Sequence, residues 1–194
     1  MKEWIGYYED VLSNELSENI ISDTWDWKPS TYSTHEGISP NSKNKVVMDD
    51  CWITEKMKYW VDLLNTTKKV VKLYQQKHPY MKYYNPNRTT DFRLNKYGKG
   101  GFMAEHADNI HHSHNQQYGY PSTSLLYFLN DEYKGGEIVI ADTVYKTKRN
   151  SAIMFPSNFM FPHYVNKIIQ GTRYSIVTWI MGCVYLRLTK FTLR

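Results

Sequence analysis

Four residues in the C-terminal half of this 194-residue chain carry side chains that can support oxidative chemistry. They are His106, Asp108, His163 and Arg173. Two histidines and one carboxylate form the facial triad that binds non-haem Fe(II), and this triad leaves coordination positions open for a co-substrate and dioxygen. An arginine that follows the second histidine at strand-like spacing can anchor an anionic co-substrate beside the metal. The set therefore indicates an oxygenase.

The spacing of these residues suits β-strands. Residues i and i+2 of a strand point to the same face, so His106 and Asp108 can both reach one ion near a strand end. A guanidinium at Arg173, if it faces the interior, needs a partner, and a bound carboxylate would supply one. By the same rule, side chains of the last apolar segment alternate between two faces. One face carries Arg173, Ser175, Val177 and Trp179, and the other carries Tyr174, Ile176 and Thr178.

The N-terminal part of the chain has helical periodicity. Apolar residues recur at three- and four-residue intervals over residues 7–21, which predicts an amphipathic helix. A polar, turn-rich stretch from Asp23 to Asn41 predicts a long irregular loop. A second helix is predicted from a cap at Thr54 to His78-Pro79. Its apolar side would consist of Met57, Trp60, Val61, Leu64, Val71 and Tyr74.

After Pro86 the pattern becomes that of strands. Asp91–Tyr97 alternates and is followed by the turn residues 98–101. Further apolar segments lie at 122–129, 137–140, 152–155, 163–168 and 172–182. Short strands at this spacing favour a sandwich or barrel, so the fold class is α+β with a mainly β core. We predict one domain, with helical support and loop over 1–85 and the β core with the site over 86–194.

Composition and charge argue for an ordinary enzyme. The net charge of +5 is dispersed, which indicates a solvated surface more than a nucleic-acid groove. No stretch reaches membrane-spanning length. Cys51 and Cys183 follow no metal or redox spacing, so we predict free thiols and a cytoplasmic location. The oligomeric state is left open.

Several motifs occur in order along the β region, and together they resemble the Fe(II)- and 2-oxoglutarate-dependent dioxygenases, in particular the prolyl 4-hydroxylase-like branch. The resemblance covers nearly all of residues 91–182 and more weakly the segment from Tyr7. Its motifs are Asn95-Lys-Tyr97-Gly-Lys-Gly-Gly101, His106-Ala-Asp108-Asn109, Leu125-Leu-Tyr-Phe-Leu-Asn130, Gly135-Gly-Glu137, Pro162-His163-Tyr-Val165 and Gly171-Thr-Arg173-Tyr-Ser175 with Ile176-Val-Thr-Trp179.

The resemblance implies a fold, a set of roles and a reaction. The fold would be a double-stranded β-helix, or jelly-roll, barrel with N-terminal supporting helices. His106, Asp108 and His163 would bind Fe(II), while Arg173, Ser175 and Tyr97 would bind 2-oxoglutarate. Oxidative decarboxylation to succinate and CO₂ would accompany O₂-dependent hydroxylation of the prime substrate. Whether ascorbate is required stays open.

Three classes of function follow from the resemblance. The first is a hydroxylase acting on a peptidyl residue of a protein or peptide partner, with proline as the expected residue and a free amino acid or small molecule as an alternative. The second is a nucleic-acid demethylase of the AlkB type, which ranks low because Trp179 stands where that branch carries a second arginine. The third is a binding module without catalysis, which an intact set of ligands disfavours.

Some residues depart from the family pattern or stay ambiguous. Many relatives carry a tyrosine at the position of Phe128, whereas the phenol here is next door at Tyr127, on the other face of a strand. The stretch 109–121 predicts a mobile loop at the mouth that clasps substrate. That loop contains His111, His112, His114, Tyr118 and Tyr120. Trp25 and Trp27 are interpreted as core residues more readily than as contact residues.

Overall fold

The structure is a computed structural model that describes residues 1–34, 37–39, 42–83, 86–108 and 121–182. Two α-helices precede most of the strands, namely α1 (Asn14–Ser22) and α2 (Trp60–Lys77). Short 3₁₀ turns lie at Lys2–Trp4, Ser42–Asn44 and Pro79–Tyr83. None of the helices in the described ranges is both long and apolar enough to cross a membrane.

The strands of the described residues are short and are numbered in chain order. They are β1 (Gly6–Tyr8), β2 (Lys28–Pro29), β3 (Ser33–Thr34), β4 (Gly37–Ile38), β5 (Val46–Val47), β6 (Asp49–Ile53), β7 (Pro86–Thr89), β8 (Phe92–Tyr97), β9 (Phe102–His106), β10 (Pro121–Phe128), β11 (Lys134–Gly135), β12 (Ile138–Ile140), β13 (Thr143–Tyr145), β14 (Ser151–Pro156), β15 (His163–Val165), β16 (Ile168–Gln170) and β17 (Arg173–Gly182).

Antiparallel pairing arranges most of these strands in two sheets. The large sheet has the order β1-β14-β10-β17-β8-β6-β2, with β7 also paired to β17. The small sheet has the order β13-β12-β15-β9-β5. Two further pairs, β3 with β4 and β11 with β16, lie outside both sheets. Most neighbouring strands in the two sheets are distant in sequence, although β12 and β13 are consecutive. The predicted jelly-roll fold class is confirmed.

The large sheet separates two hydrophobic clusters. Its outer face packs on the helices, where Ile20 of α1 and Leu63 of α2 join Leu94 and Leu125 in one buried cluster. Its inner face contributes to a second cluster between the sheets. That inner cluster includes Leu126, Phe128, Ile138, Ile140, Ile153, Phe155, Val177 and Trp179. Alternation along β10 and β17 therefore matches the two faces predicted for the last segment.

The first helix is shorter than predicted. Residues 6–8 form β1, which pairs with β14 so that Gly6 lies opposite Met154. Asp10 has a positive φ of 54°, which interrupts a right-handed helix. Helix α1 begins only after Ser13, whose hydroxyl accepts a hydrogen bond from Leu16 N at 3.1 Å. The prediction of a helix from residue 7 was wrong because edge pairing in the sheet overrode local periodicity.

The second helix also begins later than predicted. Met57 N donates to Thr54 O at 2.9 Å, so this segment is a turn. Tyr59 has a φ of 74°, which prevents the helix from extending backwards. The predicted apolar side was partly wrong, since Val61 is 60% exposed. Of the predicted residues, Tyr74 is buried, and Trp60, Leu64 and Val71 are partly buried against the outer cluster. The other buried residues of α2 are Leu63, Thr66, Thr67 and Val70.

The structure also bears on the predictions for the end of α2, the strands, the long loop and the two N-terminal tryptophans. The predicted end of α2 at His78-Pro79 and the strands after Pro86 agree with the structure. The stretch from Asp23 to Asn41 is mostly irregular in its described part, but it includes β2, which pairs with β6, and the paired strands β3 and β4. Trp25 and Trp27 are partly buried against the outer cluster, which supports their interpretation as core residues. The assignment of one domain, divided at residue 85, stays a prediction.

Candidate metal and co-substrate site

Two strands of the small sheet bring the two histidines together. In the pairing of β15 with β9, His163 lies opposite His106, and their ring centroids are 4.2 Å apart. Asp108 follows the end of β9 by two residues. One ligand atom from each of the three side chains lies within 4.8 Å of the others. The structure thus brings together the three side chains that the sequence predicted as metal ligands.

Backbone carbonyls orient both imidazole rings. His106 Nδ1 lies 2.9 Å from Ala104 O, and His163 Nδ1 lies 3.1 Å from Phe161 O. A carbonyl oxygen can only accept, so each Nδ1 carries the hydrogen and each Nε2 of a neutral ring presents a lone pair. Both Nε2 atoms face the carboxylate of Asp108, at 3.4 Å for His106 and 3.5 Å for His163.

The carboxylate of Asp108 is buried and is held by a serine. Ser124 Oγ donates to Asp108 Oδ2 at 2.5 Å, and Ser124 Oγ lies 2.8 Å from Ser157 Oγ. Burial alone would raise the pKa of Asp108, but the positive charges that His163 and His106 carry when protonated, together with the hydrogen bond from Ser124, hold that pKa well below its ordinary value. Asp108 is therefore an anion at neutral pH.

His163 is neutral at the same pH. Burial, reinforced by the neighbouring His106, lowers the pKa of His163 to about 4 although the charge of Asp108 opposes this. The ring of Phe155 packs against it edge-on with centroids 4.9 Å apart. An unprotonated imidazole of this kind is available as a metal ligand.

These groups fit a divalent cation. Two imidazole lone pairs and a carboxylate oxygen converge on one small region, where they repel one another unless a positive charge lies between them. Two nitrogen ligands and one oxygen ligand are the donor set of a facial triad. Carbonyl hydrogen bonds to the outer ring nitrogens are the usual support of metal-bound histidines.

Arg173 lies on the inner face of the large sheet with 1% of its surface exposed. Its Nη1 donates to Ser175 Oγ at 3.1 Å, while its Nε and Nη2 are buried without a hydrogen-bond partner in the described part of the chain. The guanidinium carbon lies 4.9 Å from the ring centroid of Tyr97 and 5.2 Å from that of Phe128. Aromatic faces alone leave a buried guanidinium incompletely compensated.

Tyr97 and Ser175 accompany Arg173 as the sequence predicted. Tyr97 lies directly opposite Arg173 in the pairing of β8 with β17. Burial raises the pKa of the Tyr97 phenol, and the charges of Arg173 and Arg93 oppose this rise. Gly136, with a φ of 70°, approaches the same arginine, and a Cβ there would lie 3.3 Å from Arg173 Cδ. Close packing thus holds the guanidinium in place.

The two neighbouring residues Tyr127 and Phe128 face opposite sides, as predicted. The Tyr127 hydroxyl lies 2.8 Å from Thr67 Oγ1 of α2, in the outer cluster. Phe128 belongs to the inner cluster and contacts Arg173. Tyr127 therefore does not replace the phenol that relatives carry at the position of Phe128.

Several predicted features fall outside the described residues. These include most of the stretch 109–121, with the histidines at 111, 112 and 114 and the tyrosines at 118 and 120. Cys183 also lies outside the described part of the chain, whereas Cys51 is a buried free thiol. The substrate-clasp interpretation of the 109–121 stretch and a cytoplasmic location stay predictions.

Sequence reasoning missed three residues near the site. Ser124 and Ser157 are fully buried and form the hydrogen-bonded support of Asp108. A small hydroxyl within the apolar run of β10 was a signal that a polar partner lies opposite it. Arg93, whose guanidinium carbon lies 5.3 Å from the Trp179 ring centroid, was also missed. The available signal was its position in β8, where side chains alternate between the two faces and Arg93 shares the inward face with Tyr97.

Comparison of the sequence with known families gives one match over the β core. Residues 92–181 match the profile of the 2OG-Fe(II) oxygenase superfamily. A PKHD-type hydroxylase of Delftia acidovorans is 32% identical over 100 residues, which are 47% of this chain and 43% of the relative. A PKHD-type hydroxylase of a Psychrobacter species is 34% identical over 101 residues, or 48% and 38% of the two chains. The aligned part is thus less than half of each relative.

Solved structures share the fold over most of the chain. A Pseudomonas putida prolyl-4-hydroxylase gives a TM-score of 0.68 at 15% identity, covering 93% of this chain and 94% of that chain. The viral collagen prolyl hydroxylase of Paramecium bursaria Chlorella virus-1, in complex with 2OG, gives 0.68 at 14% identity, covering 93% and 97%. A Trichoplax adhaerens prolyl hydroxylase bound to a hypoxia inducible factor peptide gives 0.68 at 16%, covering 92% and 84%.

Proposed function

We propose, from the premise that residues 92–181 belong to the 2OG-Fe(II) oxygenase superfamily, that this chain is an Fe(II)- and 2-oxoglutarate-dependent dioxygenase. Its prime substrate is a peptidyl residue, with proline as the expected residue. Decarboxylation of 2-oxoglutarate to succinate and CO₂ accompanies the hydroxylation, and O₂ supplies the oxygen.

The observation that carries this proposal is the convergence of three lone-pair donors on one region. His106, Asp108 and His163 would hold Fe(II) through two Nε2 atoms and one carboxylate oxygen. The bound ion would supply the redox chemistry and the remaining coordination positions. Ser124 keeps a carboxylate oxygen of Asp108 in a fixed direction, and Phe155 limits the rotation of His163. The chain thus orients the ligands before any metal binds.

Arg173 supports 2-oxoglutarate as the co-substrate. Its buried Nε and Nη2 are donors without partners in the described residues, and a carboxylate can accept from two guanidinium nitrogens at once. The distal carboxylate of 2-oxoglutarate would pair there, with Ser175 and Tyr97 beside it. The other end of the co-substrate would face the metal ligands.

The substrate class is supported by the named relatives. Two hydroxylases align with half of this chain, and three solved neighbours carry prolyl hydroxylase in their descriptions. One of these neighbours is bound to a peptide. A proline-containing peptide or protein is therefore the partner we propose for this chain.

A coupled assay tests the proposal. The purified protein is loaded with Fe(II) without oxygen and then given O₂, 2-oxoglutarate and a panel of proline-containing peptides. We expect succinate release together with a mass gain of one oxygen on a peptide. Omission of Fe(II) or replacement of Asp108 by alanine is the matched control and should abolish both signals. Failure to release succinate with every peptide, in protein shown to bind Fe(II), would contradict the proposed reaction.

A further inference from the structure

A second arginine lies on the inner face of the large sheet. Arg93 of β8 is opposite Val177 of β17, and Val177 belongs to the cluster between the sheets. Its guanidinium carbon lies 5.3 Å from the ring centroid of Trp179. The ring of Trp52, 42% exposed, lies 6.4 Å from that of Trp179. Arg93 and these two tryptophans, named here the Arg93 cluster, therefore run from the interior to the surface.

The charge of Arg93 is not compensated by the described part of the chain. Its side chain is partly buried. Its Nε is buried and lacks a hydrogen-bond partner among the described residues. Two residues along on the same face, Asn95 is 3% exposed, and its Oδ1 also has no partner in that part of the chain. Buried donors and acceptors of this kind normally meet a protein group, water or ligand.

The Arg93 cluster adjoins the candidate metal ligands. Trp179 lies opposite Ser124 in the pairing of β10 with β17, and Ser124 donates to Asp108. Because the Arg93 guanidinium lies against the Trp179 ring, it is on the same side of the large sheet as Ser124 and Asp108.

The co-substrate does not account for Arg93. Arg173 is opposite Tyr97, and Arg93 precedes Tyr97 by four residues on β8, which corresponds to about 13 Å along the strand. 2-Oxoglutarate is a five-carbon diacid. If one end pairs with Arg173 and the other reaches the proposed metal ligands, neither end is left to pair with Arg93. Arg93 remains available for a different anion.

We propose that the Arg93 cluster binds a carboxylate of the prime substrate. The guanidinium pairs with the carboxylate, and the two indole rings cover the apolar part of the substrate beside it. The carboxylate is that of a free amino acid, or it is the C-terminal carboxylate or an acidic side chain of a peptide. The inference rests on the proposed function for the chemistry, but the binding of the carboxylate does not depend on turnover.

Matched pairs of compounds test the proposal. Free L-proline is compared with L-prolinamide, proline peptides with their amidated forms, and peptides bearing Glu beside proline with their Gln counterparts. Binding is followed by tryptophan fluorescence of the full-length protein, and turnover by oxygen gain. We expect each preferred carboxylate to bind at least about tenfold more tightly than its neutral partner, with Arg93→Met reducing that ratio to about one.

Lys96→Met is the matched control for this experiment. Lys96 lies on the same strand and its Nζ is 5.3 Å from the ring centroid of Trp27, but its neighbours are on the outer face. The variant should keep the preference for carboxylates, and Arg93→Lys should keep part of it because the charge remains. The pair of compounds with the largest ratio identifies the source of the carboxylate.

Three outcomes would overturn the proposal. The first is equal affinity of the wild-type protein for neutral compounds and carboxylates, the second is survival of the preference in Arg93→Met, and the third is failure of every carboxylate in the panel to bind. A protein that binds carboxylates through Arg93 but never oxidises them would instead refute the proposed function and leave the subsite standing.

Discussion

Tyr127 and Phe128 are neighbours in β10, yet they face two regions with different requirements. On the outer face, the buried Tyr127 hydroxyl meets Thr67 of α2, so the chain itself supplies the partner. On the inner face, Phe128 lies against Arg173, which keeps two buried nitrogens without partners in the described residues. At Tyr127 the chain therefore supplies its own hydrogen-bond partner, whereas at Arg173 two donors are positioned to meet a further group.

The physical reason for this difference is the cost of burial. A buried polar group that lacks a partner costs about 1–3 kcal/mol, and a charged group costs more. The fold tolerates this cost at Arg173 on the inner face of the large sheet, which is the side that Ser124 shares with the proposed metal ligand Asp108. Substitutions on the inner face should therefore change ligand binding, and those on the outer face should change stability.

The largest effect is expected for the metal ligands. Replacement of His163 by alanine removes one of three donors, so Fe(II) affinity should fall by more than the roughly 10–100-fold seen for losses in outer-shell support. Oxygen-dependent turnover should vanish while the far-ultraviolet circular dichroism stays that of the folded protein. Calorimetric titration with Fe(II) under argon measures the affinity. Retention of wild-type Fe(II) affinity would place the metal elsewhere.

Arg173 should give the next largest effect. Arg173→Met leaves a desolvated carboxylate unpaired and should weaken 2-oxoglutarate binding by roughly 3–5 kcal/mol. Arg173→Lys keeps the charge but loses the two-nitrogen fork, so it should chiefly raise the KM for 2-oxoglutarate. Fe(II) binding should persist in both variants. Unchanged 2-oxoglutarate affinity in the methionine variant would mean that another residue anchors the co-substrate.

In the absence of co-substrate, we expect Arg173→Met to keep the thermal stability of the wild-type protein. The wild-type protein keeps a buried, incompletely paired guanidinium, so its replacement should not lower the thermal midpoint of the ligand-free protein. Scanning calorimetry measures this midpoint. Added 2-oxoglutarate should then raise the midpoint of the wild type more than that of Arg173→Met. Equal ligand-induced shifts would contradict the assigned anchor.

Ser124 should have an intermediate effect. Ser124→Ala removes the hydrogen bond to Asp108 and should lower Fe(II) affinity about 10–100-fold. Ser157→Ala is the matched control, since it removes the more distant hydroxyl of the pair and should cost less affinity. Fe(II) titrations of both variants give the comparison. Equal losses would show that the serines matter only through packing.

A smaller effect, on stability alone, is expected on the outer face. Tyr127→Phe leaves Thr67 without its partner in a buried position and should cost about 1–3 kcal/mol of unfolding free energy. Further replacement of Thr67 by valine should recover part of this loss, because neither polar group then remains. Denaturant unfolding measures both changes. A lost affinity for 2-oxoglutarate in Tyr127→Phe would contradict the separation of the two faces.

The sequence predicted some secondary-structure elements better than others. The strands after Pro86 and the residues sharing each face of β17 were predictable because alternation is a local property. The starts of both helices were not, because residues 6–8 pair with β14 and Tyr59 adopts a positive φ. The burial of Thr66 and Thr67 was also missed, since a hydroxyl reads as exposed until its partner on another element is known.

The sequence by itself determined which residue types could bind a metal and an anionic co-substrate, because His106, Asp108, His163 and Arg173 occur in an order that matches known motifs. Only the tertiary structure decided how they are held. Arg93 and Ser124 lie on β8 and β10, and Ser157 directly follows β14; antiparallel pairing brings these distant parts of the chain together. The buried atoms that have no partner among the described residues, at Arg173, Arg93 and Asn95, are likewise visible only after folding, since a missing contact has no signature in the sequence.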